Sequence, residues 1–214
     1  MASTSRRVSG VPAQLAAFPM RTFRAADAEI AYAHPAPQLR RLERLGTLHR
    51  LAHGYYTVVP QDQIRMDWMP ALEAAAAGIA AARFRPARAP LMDVSAARMH
   101  GALPRALGTA IVAAPAQHEP IVLLDRPASV RFVKRDTTKL DVETVTTELG
   151  RAQVTSIEQT VLDLARKPSL NVAEDQVPEA VRALLPRCDP EVLDDLAGRQ
   201  RLRSALERAR ALAR

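Results

Sequence analysis

Residues 38–59, QLRRLERLGTLHRLAHGYYTVV, leave this chain fewer ways to fold than any other stretch. Leu39, Leu42 and Leu45 recur at three-residue spacing behind Pro37. At about 100° per residue they share one side of a helix, and Arg40, Arg41 and Arg44 fall on the other. Pro37 suits the start of such a helix, where its missing N–H costs nothing, and Gly46 is placed to cap its end. Leu48, Leu51, Tyr55, Thr57 and Val59 then predict two short strands, turning at Ala52-His53-Gly54. A helix with an arginine face, a glycine and a basic hairpin follow one another in the order of a winged helix-turn-helix.

Upstream, the sequence predicts a short helix over Val11–Phe18 and a second over Arg24–Tyr32, separated by Pro19. The turn His34-Pro35-Ala36-Pro37 follows, because a residue before proline is pushed out of helical geometry. Residues 1–9 are small, polar and basic, and are expected to be disordered. Pro60–Met66 reads as a linker, which divides the chain into a winged helix-turn-helix over 10–62 and a second domain over 63–214. That second domain predicts a mixed α+β fold. It holds an alanine-rich helix Trp68–Arg83 and a short helix Val94–His100 with Asp93 as N-cap and Gly101 closing it. Strands follow near 109–114, 121–124, 130–135, 140–147 and 152–155. Ser156 and Gln159 form a capping box before a helix Ile157–Arg166. Helices near 173–185, 190–197 and 199–213 end the chain, the last with an apolar stripe of Leu202, Ala205, Leu206, Ala209 and Leu212 or Ala213. The fold class expected is α+β with a helical C-terminus.

Charge supports a polyanionic partner. The chain carries +7 over 214 residues, and the first 60 hold eight arginines against Asp27, Glu29 and Glu43, a net +5. A concentrated positive field draws nucleic acid. Arginine suits a recognition helix because its fork pairs with guanine O6 and N7 or grips a phosphate. Arg40, Arg41 and Arg44 are therefore the candidates for the major groove, with Gln38 near the helix start, where base contacts concentrate. His49, Arg50, His53 and Tyr55 fall on the wing, and Arg21 and Arg24 are candidate phosphate contacts.

Other chemistries find less in the sequence. His49 and His53 have the spacing of helical metal ligands but lie on the predicted hairpin with no third ligand, so no metal and no cofactor is expected. Ser95 and His100 are close in sequence without a nucleophile elbow. Cys188, the sole cysteine, has no evident base beside it and permits no internal disulfide, in keeping with a reducing compartment. Asp141 and Glu143 on a strand are the nearest approach to a magnesium-dependent nuclease, but Val145 stands where that arrangement places a lysine. The N-terminal segment lacks the apolar run of a signal peptide, and the apolar stretch Ala71–Ala82 is too short to span a bilayer. A soluble cytoplasmic protein without catalytic activity is expected.

Three stretches resemble the AbiEi family of antitoxins from type IV toxin–antitoxin systems. Leu39-Arg-Arg-Leu42, Leu45-Gly46, Leu48-x-Arg50-Leu51 and Gly54-Tyr55-Tyr56 are similar to the family's N-terminal winged helix, with its "G.L.R...G.Y" wing. Ser95-Ala-Ala-Arg-Met-His-Gly101 resembles the "S...A..LHG" helix, and Val154-Thr-Ser156 through Thr160-Val-Leu-Asp-Leu-Ala165 the "VTSPERTLLDLA" element. His34-Pro-Ala-Pro37 departs from the family's polar turn, and Ile157 stands where proline is common. The resemblance implies an autorepressor that binds inverted repeats in its own promoter and counters a nucleotidyltransferase-like toxin, directly or without a stable complex. It leaves self-association on DNA open. A stand-alone winged-helix regulator is the alternative, and the nuclease a more distant one.

Overall fold

The computed structural model describes residues 10–64, 66–85, 88–166, 170 and 172–213; the segment 1–9, expected to be disordered, lies outside them. The N-terminal part contains α1 (Ala13–Ala16), β1 (Thr22–Arg24), α2 (Pro35–Arg44), β2 (Leu48–Ala52) and β3 (Tyr55–Val58). The three strands form an antiparallel sheet in the order β1-β3-β2, with Phe23 opposite Tyr56 and Leu48 opposite Val58. The expected hairpin is there, with Gly54 at φ 78 in its turn, a backbone conformation that glycine adopts without strain.

The expected helix Arg24–Tyr32 is not α-helical. Its first residue ends a third strand, and Ala25–Ile30 form a 3-10 helix. Thr22 and Phe23 are both fully buried and belong to the sheet, whereas Ala28 is the only buried residue of the 3-10 segment. Six residues with no apolar face to bury cannot offset the cost of starting an α-helix. The Asp27 carboxylate also accepts the Arg24 backbone N–H at 2.9 Å, which fixes the break at Arg24. Helix α2 starts at Pro35, two residues earlier than expected, and α1 is only four residues long with Pro12 ahead of it as N-cap. Leu39 and Leu42 are buried as the spacing predicts, but Leu45, at the helix end, is 37% exposed. Leu15, Phe23, Ala28, Leu48, Tyr56 and Val58 complete the small core beneath α2.

The second part contains α3 (Leu72–Phe84), α4 (Asp93–Met99), β4 (Thr109–Ala114), β5 (Ile121–Val122), β6 (Ser129–Lys134), β7 (Val142–Thr147), β8 (Gly150–Thr155), α5 (Ile157–Leu164), α6 (Val177–Leu184), α7 (Pro190–Arg199) and α8 (Arg203–Leu212). Strand β6 pairs in parallel with β4 and antiparallel with β5, and β7 with β8 form a hairpin. Leu91 bridges β4 and β8 through Val112 and Val154, and its N–H and C=O bond to Gln153 and Thr155, both at 2.9 Å. Alternation along β4 assigns its two faces. Ala110, Val112 and Ala114 pack in one core with α3, and Ile111 and Ala113 in another with α4–α8.

Helix α3 has ten of its 13 residues buried, so it is an interior helix rather than a surface one. It begins at Leu72, after Pro70, and not at Trp68. Its core takes in Met20, Leu51, Ala52 and Tyr55 from the N-terminal part. A bridge from Ala52 to Leu123 and a bond from Leu124 N–H to Leu51 C=O (2.9 Å) join β2 to the chain around β5. The expected linker is a 3-10 turn at Gln61–Gln63. The apolar stripe of α8 packs in the core it shares with α4–α7, where Ala205, Leu206 and Ala209 are at most 3% exposed.

Two expected caps are rebuilt. Asp93 is the first residue of α4, at φ 54, and Met92 precedes it as N-cap; the Asp93 carboxylate accepts the neighbouring Val94 N–H at 2.7 Å. Ser156 does cap α5, accepting the Gln159 N–H at 3.1 Å. The Gln159 side chain, fully buried, turns inward instead of closing the box, and its Oε1 accepts the Asp141 N–H at 3.3 Å.

Candidate nucleic-acid interface

Helix α2 is held by Leu39 and Leu42 on one face and presents Arg40, Arg41 and Arg44 as exposed residues on the other. Gln38 is half-buried. Arg44 Nε reaches back to the Arg40 carbonyl at 3.4 Å, an exposed contact along the helix surface. The three guanidinium groups thus project from a short rigid element whose opposite side is fixed to a core, the arrangement a groove-reading helix needs. Stacking of Phe18 on Phe23 (5.8 Å between centroids) and of Phe23 on Tyr56 (6.3 Å) stiffens the sheet below.

The hairpin is less free than the sequence suggests. His49 Nε2 lies 2.7 Å from Asp125 Oδ2, and its ring meets Trp68 edge-on at 5.8 Å. Burial alone would raise the Asp125 carboxyl. Hydrogen bonds from His49 and Arg126, with the charge of Arg126, outweigh it and hold the group at about 2. His49 therefore joins the hairpin to the second part of the chain and is corrected from wing contact to wing anchor. Tyr55 is corrected too: at 8% exposure it packs in the core of α3, because the hairpin has a core on both faces. Arg50 and His53 remain at the tip, with Arg50 Nη2 3.3 Å from His53 Nδ1 and its guanidinium 5.9 Å from the Tyr56 ring centroid. His53 is exposed and Arg50 half-buried, with its Nε lacking a hydrogen-bond partner among the described residues.

Arg21 is exposed at the foot of β1. Arg24 forks onto Asp27, with Nη2–Oδ1 at 2.9 Å and Nε–Oδ2 at 3.3 Å, and Arg85 reaches the same carboxylate at 3.1 Å. Burial opposes ionisation of Asp27, but the bonds from Arg24 and the two positive charges hold its carboxyl below the ordinary carboxylate range. Two arginines on one carboxylate leave a net positive charge beside the sheet. Arg85 in turn lies 4.5 Å from the Phe18 ring centroid.

The alternative chemistries do not assemble. Ser95 Oγ accepts the Ile111 N–H at 2.8 Å, whereas His100 Nε2 donates to the Thr155 carbonyl at 2.7 Å. The S…HG stretch is thus a packing device: serine ties α4 to β4, histidine ties it to β8, and Gly101 at φ 76 ends the helix. Cys188 is half-buried, and burial together with nearby Glu158 pushes its thiol up to about 12, far from a reactive thiolate. Glu143 is about half exposed and 3.6 Å from His100 Nδ1, and Asp141 is exposed. Among the described residues no three His, Cys, Asp or Glu side chains group as a metal site, and no helix is long and apolar enough to cross a membrane.

Sequence reasoning missed one cluster altogether. Asp163, in the Thr160–Ala165 stretch, is fully buried and meets Arg135 Nη1 at 2.9 Å. Burial raises its carboxyl above the ordinary range despite Arg135. Only the long separation of the partners hid the pair; an aspartate amid Val161, Leu162 and Leu164 was the available signal.

The geometry sits within a recognisable architecture. The chain superposes on the crystal structure of the RV2827C protein from Mycobacterium tuberculosis with a TM-score of 0.56, at 20% identity, over 90% of this chain and 75% of that one. That likeness is one of fold. Comparison with curated proteins by sequence finds no match. The family description "AbiEi antitoxin C-terminal domain" matches residues 88–213, from the strand-bridging Leu91 through the Ser95–Gly101 and Val154–Ala165 elements to the end of α8. That is more than half of the 214 residues, and the chain belongs to the AbiEi antitoxin family.

Proposed function

We propose that this antitoxin is a winged helix-turn-helix protein that represses its own operon, reads inverted repeats in its promoter, and counters a nucleotidyltransferase-like toxin. The single observation that carries the reading is the exposed arginine face of α2, held over a leucine-lined core beside a hairpin with a basic tip. Arg40, Arg41, Arg44 and Gln38 enter the major groove. Arg50 and His53 at the hairpin tip, with Arg21 and the surplus charge of the Arg24–Asp27–Arg85 group, contact phosphates. In this reading residues 10–62 form the DNA-binding unit and 63–214 the antitoxin unit. The chain acts by binding, with no catalytic step.

The reading predicts that repression and toxin control separate. In cells carrying the promoter on a reporter and the neighbouring toxin under an inducible promoter, Arg40→Ala/Arg44→Ala should release the reporter at least about tenfold, the consequence of losing roughly 1.4 kcal/mol or more of binding. The same variant should still protect against the toxin. Loss of protection with repression intact would contradict the assignment of roles.

A further inference from the structure

The loop after β6 and the turn between α7 and α8 enclose a concave cleft of about 540 Å³. Arg135, Lys139, Arg166, Arg199 and Arg201 line it, and Asp136 is the only acid among its lining residues. Arg135 is anchored by the buried Asp163. Lys139 and Arg199 pair with Asp136 (2.9 Å) and Asp195 (2.7 Å), but all four of those side chains are more than half exposed, and such pairs hold their partners weakly. Arg166 and Arg201 are exposed and make no ion pair among the described residues. A concave wall of one sign focuses its field onto whatever anion enters.

The wall is fixed. Gln200 Nε2 donates to the Lys139 carbonyl at 3.1 Å and also to Gln159, tying the α7–α8 turn to the loop opposite. The turn itself is closed by Leu202 N–H on the Ala197 carbonyl at 2.8 Å, with Arg201 at φ 58. Leu140 and Leu202, at 5% and 9% exposure, supply an apolar floor beside the cations. The cleft stands on the core of the C-terminal helices, whereas α2 stands on the separate N-terminal core, so it is not part of the proposed DNA face.

We propose that this cleft binds a nucleoside triphosphate, with the triphosphate on Arg166, Arg201 and the displaceable Lys139 and Arg199, and the base over Leu140 and Leu202. The volume falls in the range of small-ligand sites, about 300–1,000 Å³. Several cations around one cavity, two of them without a direct ion pair among the described residues, match a chain of phosphates better than a single carboxylate.

Isothermal titration of the full chain tests this with ATP, GTP, CTP, UTP and inorganic tripolyphosphate. The expected result is binding that weakens at least about tenfold in Arg166→Glu/Arg201→Glu, with promoter binding and melting temperature unchanged. A nucleotide tighter than tripolyphosphate places the base on the leucine floor; equal affinities mean that the phosphates alone are recognised. Arg201→Gln alone gives the same readout if the double reversal fails to fold. Three results overturn the proposal: no triphosphate binding at millimolar concentration, binding indifferent to these variants, or binding lost instead in Arg40→Ala/Arg44→Ala.

Discussion

Asp93 carries two burdens at once. It is a buried non-glycine residue, 7% exposed, at φ 54, and burial pushes its carboxyl up to about 7 against the pull of the Val94 N–H. A raised carboxyl means that the folded chain keeps a proton that the unfolded chain has released, so this residue's contribution to stability falls as pH climbs from about 4 to about 7 and stays low above that. Asp93→Asn can still accept from Val94, tolerates the left-handed backbone, and has no charge to bury. It should leave urea unfolding near pH 4 almost unchanged and stabilise the chain at pH 8 by about 2–4 kcal/mol. A variant less stable than the parent at pH 8 would mean that the carboxylate is better satisfied than its surroundings indicate. The sequence marked Asp93 as a helix start but could not reveal that Met92 takes the cap and turns the carboxyl inward. Tyr55 and Tyr56 teach the same lesson. Alternation placed them on opposite faces of the hairpin, and only the three-dimensional packing showed a core on each side.

At the scale of elements, helix α3 depends on what its small residues admit. A methyl added to Gly78 would lie 2.4 Å from Thr22 Oγ1 and 3.0 Å from Thr22 Cβ, so β1 and α3 touch through the missing side chain. Helix propensity alone favours alanine over glycine by about 1 kcal/mol. Overpacking at a rigid contact typically costs about 1–3 kcal/mol, and here it should win. Gly78→Ala is expected to lower the urea midpoint, by an amount equivalent to at most about 2 kcal/mol, and Thr22→Ala added to it should recover part of the loss. A stabilised Gly78→Ala would show that β1 gives way easily. Helices α2, α3, α5 and α8 were legible from their periodic or continuous apolar patterns, and of their starts only that of α5 was marked, by Ser156. Strand β1 was not. Three residues give no period, and the acid and alanines that follow look like helix until Asp27 is seen bonding back to Arg24.

Across the whole molecule, Leu91 and the Ala52–Leu123 bridge join the separate sheets, and His49 with Asp125 adds a polar tie between the hairpin and the second part of the chain. These long-range links were invisible in the sequence, where each residue looked like ordinary core or surface. The family, by contrast, was legible, because the Ser95–Gly101 and Val154–Ala165 stretches resemble its motifs, and both lie within the matched residues 88–213. The structure also narrows the proposed DNA face, withdrawing Tyr55 and His49 and leaving the arginines of α2 as its main charge. The most direct test is promoter binding by fluorescence anisotropy across a salt series, for the parent chain and for Arg40→Ala/Arg44→Ala. Removing two cations from the bound face should weaken binding and make the slope of log affinity against log salt shallower, by at most about 2. Parent and variant lines that coincide in both affinity and slope would contradict the claim that α2 enters DNA.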